Sequence, residues 1–442
     1  MKVVFLCGGT GKRMYPLTED KFLLNFLGKT LLEHQIDMAE KVRLTRFVIV
    51  GNLENIGRIE EIVASIPGIE AETAVQEKPL GIANALEAAS QFLNDEIIVV
   101  NPNDVFDVSA YSKLLTATEA GSAVSYLFGC ELHRYFPGGY LVVDEKDHLR
   151  LIVEKPERGK EPSNLINVLI HLHTDPEMLL KYVASVRTDR DDAYEHALGA
   201  MAGDGQRIKV LPLPGLWNAI KYPWHILDVV RRFLGQTERY ISPSGRVSDK
   251  ATVEGQVVLD HDVIIMENAV ICGPVYIGPH SVIGNNSLVR EYSHIGAYCH
   301  VGFSTEVKGS YIGDKCWFHM NYVGDSVIGE GCNFGAGTVL ANYRFDEGSV
   351  SVRVGDETVD TGLVKFGAII GSNSKTGINA SIMPGVKLGP NSIVGPHVCV
   401  MQDLAADSMV VAEVPHTTIS KQIQMGRLDR GCVMLGGKGC AE

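Results

Sequence analysis

Eleven aliphatic residues spaced six apart constrain this chain more than anything else in it. Val247, Val253, Leu259, Ile265, Ile271, Ile277, Ile283, Val289, Ile295, Val301 and Val307 keep the interval without a miss. Four residues after each comes a small or β-branched residue, such as Ala251, Val263, Ser281, Cys299 and Thr305. Aliphatics make up about a quarter of an average chain, so this run arises by chance with odds of order one in a million. A six-residue period suits neither a 3.6-residue helix nor a two-residue strand alternation. It predicts a parallel β-helix of hexapeptides, each short strand stacked ~4.8 Å above the last, with the in-phase aliphatics as an internal apolar column. The beat resumes at Val364, Ile370, Thr376, Ile382, Leu388, Val394 and Val400.

At 442 residues the chain is long enough for a second domain. Residues 1–235 alternate strand and helix patterns. Strands are expected at 3–7, 46–51, 97–101, 122–128, 139–143 and 209–213, and helices at 31–41, 60–64, 83–93 and 222–234. That alternation predicts a mostly parallel, doubly covered sheet with its ligand at the carboxyl ends of the strands. Residues 236–246 read as a polar linker, 247–404 as the β-helix, 343–363 as a loop projecting from it toward a neighbouring subunit, and 405–442 as a tail. Such helices commonly assemble as trimers and carry acyl-transfer sites.

A net charge of −13 argues against nucleic-acid or anionic-membrane partners. No apolar run approaches the ~18 residues of a membrane span. Nine scattered cysteines lack zinc-ligand spacing and read as reduced packing residues. With an N-terminus too short for a signal peptide, they favour a cytoplasmic protein.

The first strand runs into Cys7-Gly8-Gly9-Thr10-Gly11-Lys12-Arg13-Met14. Gly8, Gly9 and Gly11 allow backbone N–H groups to turn toward an anion. Arg13 and Lys21 add charge, and Arg13 suits bidentate contact with phosphate oxygens. The order is neither that of a P-loop nor that of a dinucleotide fingerprint, and alone it could be a plain tight turn. With its context, from Gly8 through Thr18, Lys21 and Gly28-Lys29-Thr30, it resembles the signature of the sugar-1-phosphate nucleotidylyltransferases, a Rossmann-like α/β family. The resemblance implies that Gln76 and Gly81 lie in the base-recognition loop and that Asp104 and Asn218 hold Mg2+. It also implies that Gly139, Glu154 and Asn167 contact the sugar phosphate, with Arg13 and Lys21 as the catalytic cations. Lys12 stands where the family has Thr, Asp20-Lys21-Phe22 where it has Pro-Lys-Pro, and Asn218 where Asp is commoner.

A second polar cluster interrupts the aliphatic half. It runs from His319 to Asp325, Asn333 to Thr338, Ala341 to Tyr343, then Lys365-Phe366. Coil-end turns welcome Asn and Asp, but not this concentration of His, Tyr and Lys. The cluster resembles the acetyltransferase half of the bifunctional N-acetylglucosamine-1-phosphate uridylyltransferase/glucosamine-1-phosphate acetyltransferases, whose β-helix is left-handed. The archaeal relatives of that family resemble the two-domain layout best. By that resemblance His319 is the general base, Arg290 and Lys308 hold a sugar phosphate, Tyr322, Asn333, Asn342 and Lys365 line the sugar site, and Ala336 touches acetyl-CoA. The coenzyme-A-binding serine of the family falls near Ile378.

These features lead to an enzyme that joins a nucleoside triphosphate, UTP or dTTP, to N-acetylglucosamine-1-phosphate or glucose-1-phosphate. It would acetylate an amino-sugar-1-phosphate from acetyl-CoA and assemble as a homotrimer. Two alternatives stay open: a monofunctional glucose- or mannose-1-phosphate enzyme whose β-helix only assembles or regulates, and a non-catalytic sugar-nucleotide-binding regulatory subunit.

Overall fold

Lys2–Leu6, five apolar-rich residues with Val3, Val4 and Phe5 fully buried, forms the central strand of a nine-stranded sheet. The computed structural model describes residues 1–9, 11–121, 123–133 and 135–413, of which 1–411 form one compact unit. Successive residues of a strand point to opposite faces. Val3 and Phe5 accordingly enter one apolar cluster and Val4 the other, so both faces are covered. Arg46–Gly51 and Ile97–Val100 flank the central strand in parallel, and Glu70–Val75 extends the parallel side.

The other side departs from the parallel expectation. Leu165–His173 runs antiparallel to Ile97–Val100 and to Ser125–Glu131, and Gly139–Val143 pairs antiparallel with Leu149–Glu154. From Ser125 to His173 the strands follow one another with no helix between them to restore the direction. The strand expected from residue 122 begins at Ser125. The helix expected over 60–64 is Ile56–Ser65, and the one expected over 222–234 is His225–Gly235.

The second half is a left-handed parallel β-helix with three ladders of short strands, one per face. Rungs recur at eighteen residues, as in Ile264↔Val282 and Val282↔His300. The column from Leu259 to Val307 is buried throughout. Before every strand but the first of the ladder containing Ile264, the corner residue takes positive φ: Asp262, His280, Tyr298, Lys315, Gly331, Asn373, Asn391 and Asp407.

The column does not stop at Val307. Ile312, Phe318, Val323, Ile328, Phe334 and Leu340 continue it, through corners shortened by one residue (Val307 to Ile312, Phe318 to Val323, Val323 to Ile328). Val364 is half exposed and outside the column. The ladder also begins inside the expected linker, where Tyr240–Ile241 pairs with Val258–Leu259. It ends inside the expected tail, where Met409–Val410 pairs with Ile393–Val394. The rest of the tail, from 414, lies outside the described residues.

The segment 343–363 contains an antiparallel hairpin, Ser351–Val354 with Glu357–Asp360. Instead of projecting, it folds back on its own chain. Val350 and Val352 are buried in one cluster with Met14, Trp224, Ile226 and Phe366, each contributing about 1.5–3 kcal/mol of burial. Leu27 N–H donates to His294 Nε2 at 3.1 Å across the same seam, and the Phe26 and Tyr311 rings sit 5.7 Å apart. The seam thus fixes the turn after the glycine loop against the β-helix. Among the described residues no helix is long and apolar enough to cross a membrane, and the seven described cysteines are free.

Candidate active sites

The central strand ends at the glycine loop, and a cavity of ≈ 340 Å³ opens there. Gly8, Gly9, Gly11, Lys21, Gln76 and Gly81 line it, with Asn101, Asn103 and Asp191. Thr10 lies outside the described residues. Gly11 adopts φ +58°, a left-handed conformation that favours glycine, and opens the short helical turn Lys12–Met14. Asn55 pins the loop from below, donating to Cys7 O at 3.0 Å and to Asp20 Oδ2 at 2.7 Å.

Gln76 is buried, and its Nε2 donates to Gly81 O at 2.9 Å and Asn84 Oδ1 at 3.1 Å. A Cβ on Gly8 would stand 2.1 Å from Gln76 Oε1, so glycine is required for this approach. Gly81 takes φ +90° with Asp191 O packed close to it.

Burial, together with the positive charges of Lys221 and Arg13, lowers the Lys21 ammonium to about 8. Its Nζ donates to Ile220 O at 3.2 Å. Asp104 is almost wholly buried, and burial raises its carboxyl above the usual range despite the opposing pull of Lys221 and Lys21. Asn101 Nδ2 donates to Asp104 Oδ2 at 3.1 Å, while Oδ1 is buried without a hydrogen bond of good geometry, the Trp217 indole N–H lying near enough only to favour the ionised carboxylate. Asp104 is not itself a lining residue but sits directly behind Asn101, which is; a buried carboxylate there fits a hard divalent cation, since Mg2+ needs only one or two protein carboxylates beside substrate phosphates.

Asn218 does not share that fit. Asn218–Ala219 pairs antiparallel with Asp104–Val105 so that Asn218 faces Val105 and Ala219 faces Asp104. Alternation along the strand turns the Asn218 side chain to the other face. There its Oδ1 accepts from Arg232 Nη1 at 3.1 Å. Arg13 is exposed and outside the cavity lining; only its charge reaches Lys21.

Gly139, Glu154 and Asn167 do come together. A Cβ on Gly139 would lie 2.9 Å from Glu154 Oε2 and 3.3 Å from Asn167 Cβ. Asn167 Oδ1 meets His171 Nε2 at 2.8 Å, and His171, Tyr194, His173 and Ser125 continue that buried chain at 2.8 Å per step. Burial holds both histidines neutral, His173 down to about 3. Lys155 joins Glu154 at 3.3 Å to Asp191 at 3.2 Å and so links this cluster to the cavity. Lys155 stands with Glu154 in the set that the resemblance assigns to the sugar phosphate, whereas Asp191 and Lys221 are site residues that sequence reasoning missed. Lys221, three residues beyond Asn218, carried the only local signal.

A second cavity of ≈ 400 Å³ on the β-helix is lined by Arg290, Lys308, Tyr322, Asn342, Tyr343 and Lys365. Two acids hold its cations. Lys308 Nζ meets buried Asp325 at 2.8 Å, which also accepts from Asn342 Nδ2 at 2.5 Å, and Arg290 Nη1 meets Glu306 at 3.2 Å. Lys365 pairs with Tyr343 across a backbone bridge.

His319, Asn333 and Ala336 lie outside this cavity lining. They occupy stacked coils at a neighbouring corner, where Trp317 pairs with Asn333 and Gly337 N–H donates to Met320 O at 2.8 Å. Buried Asn321 braces that corner, accepting from His319 N–H at 2.7 Å and donating to Gly335 O at 2.8 Å. Ile378 follows one rung beyond Ala336, in register with Phe334↔Thr376.

The two architectures match two known families. Residues 2–218 match the nucleotidyl transferase family, and 256–291 and 367–401 match the bacterial transferase hexapeptide (six repeats) family. The chain is 38% identical over 420 residues to the bifunctional protein GlmU of Methanococcus maripaludis, covering 93% of this chain and 97% of that one. It is 34% identical to the bifunctional sugar-1-phosphate nucleotidylyltransferase/acetyltransferase of Sulfurisphaera tokodaii, covering 91% and 98%. The chain belongs to this bifunctional family. It is an enzyme of the nucleotidyltransferase class, with a hexapeptide acyltransferase domain as its second half. A non-catalytic regulatory subunit is not the reading its family supports.

Proposed function

We propose that the cavity at Gly8–Gly11 joins UTP or dTTP to N-acetylglucosamine-1-phosphate or glucose-1-phosphate, and that the β-helix acetylates an amino-sugar-1-phosphate. The observation that carries the first half is the cavity itself, where Gly8, Gly9, Gly11, Lys21 and Gln76 converge beside the buried Asp104 carboxylate. A sugar-phosphate oxygen attacks the α-phosphorus, the bond to the β-phosphate oxygen breaks, and pyrophosphate leaves with the electron pair. The attacking phosphate has a second pKa near 6 and needs no general base at neutral pH. Positioning and charge neutralisation therefore carry the step.

The glycine-loop N–H groups cradle the polyphosphate, Lys21 faces the α-phosphate, and Arg13 swings in from the rim onto the departing pyrophosphate. Gln76 and Gly81 hold the base, and Gly139, Glu154 and Asn167 the sugar. Asp104 would hold Mg2+, which supplies charge neutralisation on phosphate oxygens when bound.

At the second site the amine nitrogen of the sugar attacks the acetyl thioester of acetyl-CoA. The C–S bond breaks and the sulfur leaves as the coenzyme A thiolate. His319 takes the amine proton as general base. Arg290, Lys308 and Lys365 attract the sugar phosphate, with Tyr322 and Asn342 at its hydroxyls. Asn333 and Ala336, one coil beyond His319, face the acetyl donor.

A pyrophosphate-release screen of nucleotides against sugar-1-phosphates tests the first activity, and free-thiol release from acetyl-CoA with glucosamine-1-phosphate tests the second. Pyrophosphate release with no thiol from any amino-sugar phosphate would leave the monofunctional reading. Light scattering should give the mass of three chains.

A further inference from the structure

The outer corner of the β-helix carries two imidazoles and a carboxylate that neither site uses. We propose that His261, Asp262 and His280 form a binding site for Zn2+ or a similar divalent transition metal. One ligand atom from each already lies within 4.8 Å of the others, and all three side chains are exposed. His280 Nδ1 and Asp262 Oδ2 are 3.4 Å apart. That matches the roughly 3.4 Å separating two ligands around a tetrahedral zinc with ligand bonds of about 2.0–2.1 Å. Imidazole nitrogen with a carboxylate suits zinc and its neighbours better than it suits Mg2+ or Ca2+.

Three supports make the cluster a built arrangement. First, the β-helix sets its spacing: His280 N–H donates to His261 O at 3.0 Å, a rung contact between stacked coils. Second, Asp260 orients His261, accepting from its ring Nδ1 at 3.0 Å and its backbone N–H at 2.7 Å, which leaves Nε2 for the metal. Tyr276 OH in turn holds Asp260 Oδ2 at 3.0 Å. A carboxylate behind a histidine is the usual outer partner of a zinc ligand. Third, the His280 ring stacks on Tyr298 at 4.7 Å and meets His261 edge-on at 4.8 Å.

The corner itself shows what His280 costs. Its φ is +58°, and the equivalent corners further along carry Tyr298, Lys315, Gly331, Asn373, Asn391 and Asp407. Asparagine and aspartate tolerate that conformation better than a bulky ring.

Asparagine at 280 therefore suits the backbone while removing the ligand, and this makes the test clean. Full-length protein stripped by chelator is titrated with Zn2+ by calorimetry and with Co2+ by visible absorption, and melted with and without Zn2+. The expected result is about one Zn2+ per chain, tetrahedral Co2+ bands and a zinc-dependent rise in the melting temperature. His261→Asn and His280→Asn should weaken binding at least tenfold and abolish the rise, while His280→Asn melts no lower than metal-free wild type. Asp260→Asn should weaken binding by ten- to a hundredfold. Wild type that takes up no zinc, or uptake that survives both histidine substitutions, overturns the proposal.

Discussion

Gly8→Ala should disable nucleotide binding through a residue it does not replace. The new methyl would lie 2.1 Å from Gln76 Oε1, 3.2 Å from its Cδ and 3.3 Å from its Cβ. Ordinary carbon contacts are about 3.5–4.0 Å, so the Gln76 amide must move by more than about 1 Å. It then loses the bonds from Nε2 to Gly81 O and Asn84 Oδ1. At about 1 kcal/mol per bond the loss is ~2 kcal/mol, rising to ~4 if the buried partners stay unsatisfied. That is roughly 30- to 1000-fold in nucleotide KM. The assay is pyrophosphate release at varied nucleotide, run on Gly8→Ala, Gln76→Ala and the double variant. Because both changes remove the same interaction, the double variant should be no worse than Gln76→Ala. A wild-type KM for Gly8→Ala, or additive losses, refutes the steric account.

Glu195 is buried beside Glu154 with Oε2 unpartnered, and burial with that neighbouring charge raises its carboxyl to about 8. The folded chain therefore holds a proton that the unfolded chain has already released. Stability from this group is full below about pH 4.5 and is lost as pH rises through about 8. Glu195→Gln should gain of order 3 kcal/mol over wild type by urea melts at pH 9, and nothing at pH 4.5; equal gains at both would contradict the assignment. Ala219→Asp, which adds a carboxylate opposite Asp104, should lower the Mg2+ needed for half-maximal pyrophosphate release. Asn218→Ala should leave that requirement within about threefold; a tenfold rise would restore Asn218 as a ligand. Val352→Asp should cost ~2–3 kcal/mol at the seam and open 343–363 to limited proteolysis, whereas an unchanged melting temperature would place the hairpin away from the core.

What could be read from the chain alone was whatever repeats or runs locally. The hexad column was legible because its in-phase residues must all be apolar, and the glycine loop because few other residues allow that turn. The shortened corners between Val307 and Ile328 hid six further column residues, since a search for a strict period loses phase after a single deletion. Direction within the sheet was not legible: Leu165–His173 looks apolar whichever way it runs. The face on which the Asn218 side chain lies was hidden for a related reason. One residue of register decides which face of a two-residue strand meets Asp104, and that register is set by pairing, not by composition. Asp191 reaches the site only through a tertiary contact, its ion pair with Lys155.

Two independent chemistries in one polypeptide can be tested on a single preparation. Pyrophosphate release and coenzyme A thiol release should be measured side by side for wild type, Asp104→Asn and His319→Ala. The expected pattern is reciprocal: Asp104→Asn loses pyrophosphate release and keeps thiol release, and His319→Ala does the opposite. Loss of both activities in either folded variant, or of neither, would contradict the two-site account.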